Sequence, residues 1–142
     1  MSAPAVAVSP DGKKFAVAWK DVRTGRNDPH VYWSISDSPN FTKDAAIDFE
    51  SRAKQDHPTI AIDSSGTVWA AWEDTRSGRQ RIWSRSSAPG DPGRAISNGN
   101  EGEASFPVIA RNAGLVAVVY ELSNRGKNSV SFRLIDPVTK QP

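Results

Sequence analysis

Three copies of one sequence pattern follow one another along the chain. The copies begin at Pro4, Pro58 and Pro107, at a spacing of about 50 residues. A repeat of this length is typical of folds in which one small unit cannot bury its apolar face alone and therefore stacks on its neighbours. The repeats are 4–56, 57–105 and 106–142, and together they form one partial unit, 1–142.

Each repeat holds three short apolar runs separated by Gly, Asp, Ser and Asn, which predicts a meander of antiparallel strands. The middle run is apolar on both alternating sides. In residues 15–19, Ala16 and Ala18 lie on one side, and larger apolar residues lie on the other. A strand buried on both faces requires a sheet stacked on each side, and the small alanines allow close approach.

A fourth, weaker strand is predicted at 45–49 in the first repeat and at 94–97 in the second. Four strands in about 50 residues, with a doubly covered second strand, predict a β-propeller blade. Few residues follow Ile135, so we expect the third blade to lack its outer strand. Helical periodicity is missing throughout, and the predicted class is all-β: three four-stranded antiparallel sheets, the last incomplete.

Composition narrows the function classes. With 18 basic and 16 acidic side chains the net charge is +2, and no basic stripe indicates a nucleic-acid partner. Cysteine is absent, which excludes disulfides and thiolate chemistry. Only two histidines are present, so we expect no metal site and no cofactor. The longest apolar run is well short of the roughly 20 residues that span a bilayer, so we expect no membrane partner.

The second repeat resembles a known family most clearly. Its segments 58–63, 71–78 and 82–86 resemble blades of the sialidase-like (neuraminidase, or BNR-repeat) β-propellers. Family members usually follow the third strand with an Asp box, Ser-x-Asp-x-Gly-x-x-Trp. Here a relic stands at 36–41, and no convincing box follows Ser86. The resemblance implies a six-bladed ring, of which three repeats make half.

The resemblance also bears on location. It suggests a secreted or periplasmic protein, whereas the first residues lack the basic and apolar regions of a signal peptide. The location is left open.

A Trp-x-Asp-x-Arg-x-Gly element occurs in the first two repeats. A carboxylate and a guanidinium beside an aromatic ring are suited to gripping a sugar or an acidic ligand. Repetition favours a structural role instead, in which Asp pairs with Arg to close a turn before a glycine. The residues concerned are Trp19, Asp21, Arg23, Trp72, Asp74 and Arg76.

Residues that break the repeat are the better ligand-binding candidates. Arg111 stands where the other repeats carry an apolar residue on the innermost strand, and it either binds a carboxylate or turns to solvent. His57 precedes the proline of the second repeat and is either a ligand contact or a turn residue. Glu121 is the third candidate.

The resemblance implies, for an active sialidase, an arginine triad, a tyrosine activated by a glutamate, and an aspartate acid. Tyr120 and Glu121 are adjacent, but neighbouring residues on a strand point to opposite faces, so Glu121 is badly placed to activate the tyrosine. Tyr120 also occupies the position of Trp19 and Trp72 in the repeat. We therefore assign no catalytic residues.

Three blades leave two apolar faces open, which predicts either a homodimer that completes the ring or the remainder of a longer chain. The leading function is a non-catalytic module for carbohydrate or protein binding and assembly, closing its ring by self-association. The alternative is a sialidase-type glycoside hydrolase, active only as an assembled six-bladed ring. A third possibility is a structural repeat without a ligand.

Overall fold

The computed structural model describes residues 2–48, 53–112 and 114–139. Within these ranges the chain is all-β, with eleven strands in three antiparallel sheets and no helix, which confirms the predicted class. We call the sheets blades 1, 2 and 3 in chain order. Blade 1 contains β1 (Ala5–Val8), β2 (Phe15–Asp21), β3 (His30–Ser36) and β4 (Ala45–Ala46); blade 2 contains β5 (Gln55–Ile62), β6 (Val68–Asp74), β7 (Arg81–Ser86) and β8 (Arg94–Ala95); blade 3 contains β9 (Glu103–Arg111), β10 (Val116–Asn124) and β11 (Lys127–Ile135).

Each blade is a simple meander in which sequential strands are hydrogen-bonded neighbours. The fourth strands of blades 1 and 2 are two residues long and lie inside the predicted segments; residue 49 of the first segment is outside the described residues. Blade 3 has three strands, and no fourth strand is present in the described part of the chain. The first strands of blades 2 and 3 begin at Gln55 and Glu103, a few residues before the repeat prolines.

The central strand of each blade has one face directed toward the preceding blade and one directed toward the following blade, and only β6, in blade 2, is buried on both. We call these the backward and forward faces of a blade. Between blades 1 and 2, Ala16 and Ala18 on the forward face of β2 pack with Val68, Ala70 and Trp72 on the backward face of β6. All five residues have no exposed surface. The small alanines let the two sheets approach closely, as the sequence predicts.

The junction between blades 2 and 3 repeats this arrangement. Trp69 and Ala71, on the forward face of β6, pack with Val116, Val118 and Tyr120 on the backward face of β10. All of β6 is buried along its length, because it is the central strand of the only described blade that has a neighbour on both sides. At both junctions, therefore, the forward face of one blade packs on the backward face of the next.

The inner strands of blades 2 and 3 carry matching β-bulges. On β5, His57 and Pro58 lie opposite the single residue Trp72, and on β9 two residues likewise lie opposite one of β10. His57 has φ 46° and Phe106 has φ 52°, both in the left-handed region. Proline suits such a bulge because it has no N–H to leave unpaired. Each bulge turns the residue before the proline away from the regular ladder.

We expect the close approach of blades 2 and 3 to make Ala71 intolerant of larger side chains. Ala71→Leu adds volume to a fully buried contact and should lower the free energy of unfolding by about 1–3 kcal/mol. Urea titration followed by tryptophan fluorescence measures this change.

Ala45→Leu is the matched control, since Ala45 is exposed on the outer strand of blade 1. It should change the free energy of unfolding by no more than about 0.5 kcal/mol. Equal effects of the two substitutions would contradict the packing of blade 2 on blade 3.

Candidate functional site at the rim of the inner strands

The two bulges place His57 and Phe106 side by side at one end of the inner strands. Their rings lie 4.7 Å apart between centroids, at 72°, in an edge-to-face contact. Phe106 keeps 53% of its surface exposed. Ala3, which precedes Pro4, is exposed beside them. We call this end of the inner strands, together with the residues that support the bulges, the rim.

Glu73 holds the two bulges together. It follows Trp72 on β6 and is almost completely buried. One carboxylate oxygen accepts the backbone N–H of Phe106 at 2.7 Å, and the other lies 3.0 Å from Nδ1 of His57. A single carboxylate thus links the inner strand of its own blade to the inner strand of the next. Because both oxygens have partners, Glu73 acts as a support for the rim.

Lys20 plays the corresponding part between blades 1 and 2. It occupies the same repeat position as Glu73, and its ammonium group contacts the carboxylate of Asp56. Asp56 in turn accepts the backbone N–H of His57 at 2.8 Å. Burial raises the pKa of Asp56, but hydrogen bonds from Lys20 and from the His57 amide outweigh burial and leave this pKa below its usual value.

Two depressions open at the rim. One, of about 230 Å³, is lined by the bulge residues, their prolines and the residues that follow. The other, of about 330 Å³, lies between blades 1 and 2 and is lined by Lys20, Lys54, Asp56 and Glu73 among others. An exposed aromatic face beside a polar, charged wall is suited to a ligand that is apolar on one side and hydroxylated or charged on the other.

The structure places the three candidate residues at both ends of the molecule. His57 is at the rim, and Glu121 pairs with Ser105, the residue before Phe106, so it lies near the same end of blade 3. Arg111 is the last residue of β9 and pairs with Val116 at the opposite end. His57 and Arg111 are therefore not brought together on one ligand-sized surface.

The Trp-x-Asp-x-Arg-x-Gly elements form the turns between the second and third strands, at the rim end. Asp74 accepts hydrogen bonds from the Trp72 indole at 3.1 Å, from the Arg76 backbone at 2.9 Å and from its guanidinium at 2.7 Å. Gly78, with φ 81°, closes the turn by donating to Thr75. The Arg76 guanidinium also lies 3.8 Å from the Trp83 ring centre.

The first blade repeats this arrangement in a more exposed setting. Trp19 donates to Asp21 at 3.0 Å and the Arg23 guanidinium pairs with Asp21 at 2.7 Å. The Arg23 side chain is 46% exposed, whereas that of Arg76 is 16% exposed. Hydrogen bonds from Arg23 hold the pKa of Asp21 well below its usual range. Burial raises the pKa of Asp74, but its bonds from Arg76 and Trp72 leave this pKa lowered as well.

Two structural contacts were not predicted from the sequence. Glu73 is one, because its partners come from two different blades. The other is a serine–aspartate pair after the third strand of blade 2, where no Asp box was recognised. Asp91 accepts from the hydroxyl of Ser86 at 2.6 Å and from the amide of Gly93 at 3.0 Å. The sequence feature that could have indicated this pair is Asp91-Pro92-Gly93, an Asp-x-Gly segment separated from Ser86 by an insertion.

A larger depression among the described residues, of about 800 Å³, lies at the end opposite the rim. It is formed by the turns β1–β2, β3–β4 and β5–β6, and Lys14 crosses it to donate to the carbonyl of Gly66 at 3.1 Å. Asp63 in its wall accepts from Ser65 and from the Trp69 indole, so it is occupied in closing a turn. We favour the rim because there the side chains depart from the repeat.

Among the described residues, no group of three or more His, Cys, Asp or Glu side chains is arranged to hold a metal ion. The described part of the chain also contains no helix long and apolar enough to cross a membrane.

No protein-family model matches this chain, and no curated protein sequence does. Among solved structures it is similar to the Hadza microbial sialidase Hz136, with a TM-score of 0.59 and 12% sequence identity. The likeness covers 96% of this chain and 33% of that protein, so the chain spans about a third of its length. At this identity the likeness concerns the fold: the chain has a sialidase-like β-propeller fold whose three described sheets do not close a ring.

Breaking the buried turn of blade 2 should cost more stability than breaking its exposed copy. Asp74→Asn removes the fully buried one of the two carboxylates that pair with Arg76, the other being Asp48 at 2.6 Å, and should lower the free energy of unfolding at pH 7 by about 3 kcal/mol. Asp21→Asn, the matched control in blade 1, should lower it less, because Arg23 is hydrated.

The Asp74 effect should depend on pH. The pKa of Asp74 is lowered on folding, so its contribution is present above the unfolded pKa of about 3.9 and is lost as pH falls through the folded value. Urea titrations from pH 7 to pH 2 should show wild type and Asp74→Asn converging in acid. A constant difference would contradict the ion pair.

Proposed function

We propose that this chain is a non-catalytic module of the sialidase-like (BNR-repeat) propeller family that binds a carbohydrate or protein ligand at its rim and closes its ring by self-association. The observation that supports binding is the aromatic pair at the rim, in which Phe106 is exposed and His57 is half-buried. His57 and Phe106 replace Ala3 at equivalent positions, each held in the left-handed region on a bulge. Strained, repeat-breaking residues on a rigid scaffold are typical of ligand sites.

A carbohydrate suits this surface for a chemical reason. The C–H face of a sugar ring packs on an aromatic side chain, and its hydroxyl groups hydrogen-bond to charged and amide groups beside it. Phe106 supplies the aromatic face, and Lys20 and Asp56 stand in the neighbouring depression. A protein loop that carries an apolar side chain next to a polar one offers the same combination.

Ligand binding by Arg111 stays a separate prediction. It is half-buried at the opposite end of β9 and is suited to binding a carboxylate there. In a glycoside hydrolase built from two half rings, Arg111 is the residue to which we assign substrate contact. That alternative is favoured by the fold likeness to a sialidase, whose activity belongs to a chain about three times longer.

Binding at the rim is tested with a glycan array and, for a hit, calorimetric titration. Phe106→Ala should weaken binding at least tenfold, a change of about 1.4 kcal/mol, because it removes the aromatic face. His57→Ala should weaken binding to a similar degree. Phe41→Ala, which removes a partly exposed aromatic residue from the outer part of blade 1, is the control and should leave the affinity unchanged.

Two outcomes would contradict the binding module. Turnover of a fluorogenic sialoside by the pure protein, abolished by Arg111→Ala, would favour the hydrolase. A blank glycan array, together with no protein ligand that Phe106→Ala releases, would favour a purely structural repeat. A protein ligand that is released by Phe106→Ala would support binding at the rim even if the array is blank.

A further inference from the structure

One repeat position is buried in two blades and open in the third. Val31 in blade 1 and Ile82 in blade 2 have no exposed surface, because the following blade covers each of them. Val130 occupies the same position in blade 3, paired with Glu121, and is 73% exposed. The forward face of blade 3 thus lacks the cover that the fold gives the other two.

The open face is a continuous apolar surface. The residues that share it alternate along all three strands of blade 3 and stand opposite one another in the ladder. Its largest members, with their exposed fractions, are Val108 (63%), Val119 (42%), Val130 (73%), Phe132 (62%) and Leu134 (45%). A contiguous exposed patch of this kind marks an interaction surface.

Blade 1, at the other end of the chain, carries the kind of surface that covers a forward face elsewhere in the fold. The backward face of blade 1 bears Phe15, Val17 and Trp19 on β2, with Val6 and Val8 on β1. Val6 is 71% exposed and Val8 is 49% exposed. The equivalent residues Val68 and Trp72 of blade 2 are fully buried against blade 1. One chain therefore presents both surfaces of a blade junction, an open forward face on blade 3 and an open backward face on blade 1.

The position after the central aromatic residue adds a polar contact to each junction. Lys20 reaches Asp56 of the next blade, and Glu73 accepts the N–H of Phe106 of the next blade. Glu121 occupies the third such position. Its side chain is exposed and makes no hydrogen bond or ion pair within the described part of the chain, although its backbone belongs to the ladder. Glu73 accepts the N–H of Phe106, the residue before a repeat proline. At a junction between blade 3 and another blade 1, the equivalent N–H belongs to Ala3, which precedes Pro4.

We infer that the forward face of blade 3 docks on the backward face of blade 1 of a second copy, where Glu121 accepts the N–H of Ala3. The contact is head-to-tail, and a twofold pair closes through two identical junctions. This inference rests on the proposed self-association, and it names the surface and the residues that perform it.

Light scattering after size-exclusion chromatography gives the first measurement. The wild type should form a species of about 31 kDa, twice the 15.4 kDa of one chain. Val130→Asp on the forward face and Val6→Asp on the backward face should each give a 15.4 kDa monomer, because a charge is placed in an apolar junction. Val138→Asp, at a position 88% exposed outside the sheets, should remain dimeric.

Mixing the two variants tests the head-to-tail geometry. A Val130→Asp chain keeps a sound blade 1 and a Val6→Asp chain keeps a sound blade 3, so their mixture retains one intact junction. The mixture should recover a 31 kDa species that neither variant forms alone. Circular dichroism and tryptophan fluorescence of the single variants check that both remain folded.

Glu121→Ala measures the polar contact. It should raise the dimer dissociation constant about a hundredfold, because each of the two junctions loses a hydrogen bond to a charged group and each such loss is about tenfold. Asp37→Ala, which removes an exposed carboxylate from the β3–β4 turn, is the matched control and should leave the constant unchanged.

Several outcomes would overturn the inference. A wild type that stays at 15.4 kDa at all concentrations would exclude a second copy as the partner of the forward face of blade 3. The remaining explanation would be that further blades of a longer chain cover this face. A dimer broken by Val130→Asp but not by Val6→Asp would show two forward faces in contact. Glycan binding by a monomeric wild type would refute this junction while leaving the proposed binding at the rim intact.

Discussion

Burial of the central strand on both of its faces is the interaction on which the other features depend. A blade of three or four short strands has no interior of its own, so its apolar residues find cover only on neighbouring blades. Blade 2 shows the complete arrangement, since every residue of β6 is buried. The alanines of β2 and β6 set how closely the sheets approach, and that spacing brings the polar residues at the strand ends within reach of the next blade.

The rim follows from this spacing. Glu73 can accept the amide of Phe106 only because blade 3 lies directly against blade 2. The same contact holds Phe106 in a left-handed conformation that a residue before proline otherwise avoids. The exposed aromatic surface is therefore produced by the stacking of the blades, and a change in their packing would alter the rim as well as the stability.

The sequence was sufficient to predict the strands, their order and the double burial of the central strand of blade 2, because alternating apolar residues and turn residues report these features directly. The central strands of blades 1 and 3 are fully buried on one face only, since each has one neighbouring blade among the described residues. The sequence did not predict the bulges, since the residue before a proline is expected to be extended. Glu73 could not be assigned a role because its partners, His57 and Phe106, meet it only in the folded chain. Asp91 was missed because an insertion separates it from Ser86.

The strand edges of the blades differ in how they are protected. At the rim, Pro58 and Pro107 have no N–H to offer, and the bulges beside them disrupt the ladder, so the inner edges are poor templates for another strand. The outer edge of β11 has no such feature. Over nine residues, Lys127–Ile135, it presents backbone groups that no other described strand pairs with. Among the described strands, this long edge is open to β-strand addition, and so to aggregation during refolding at high concentration.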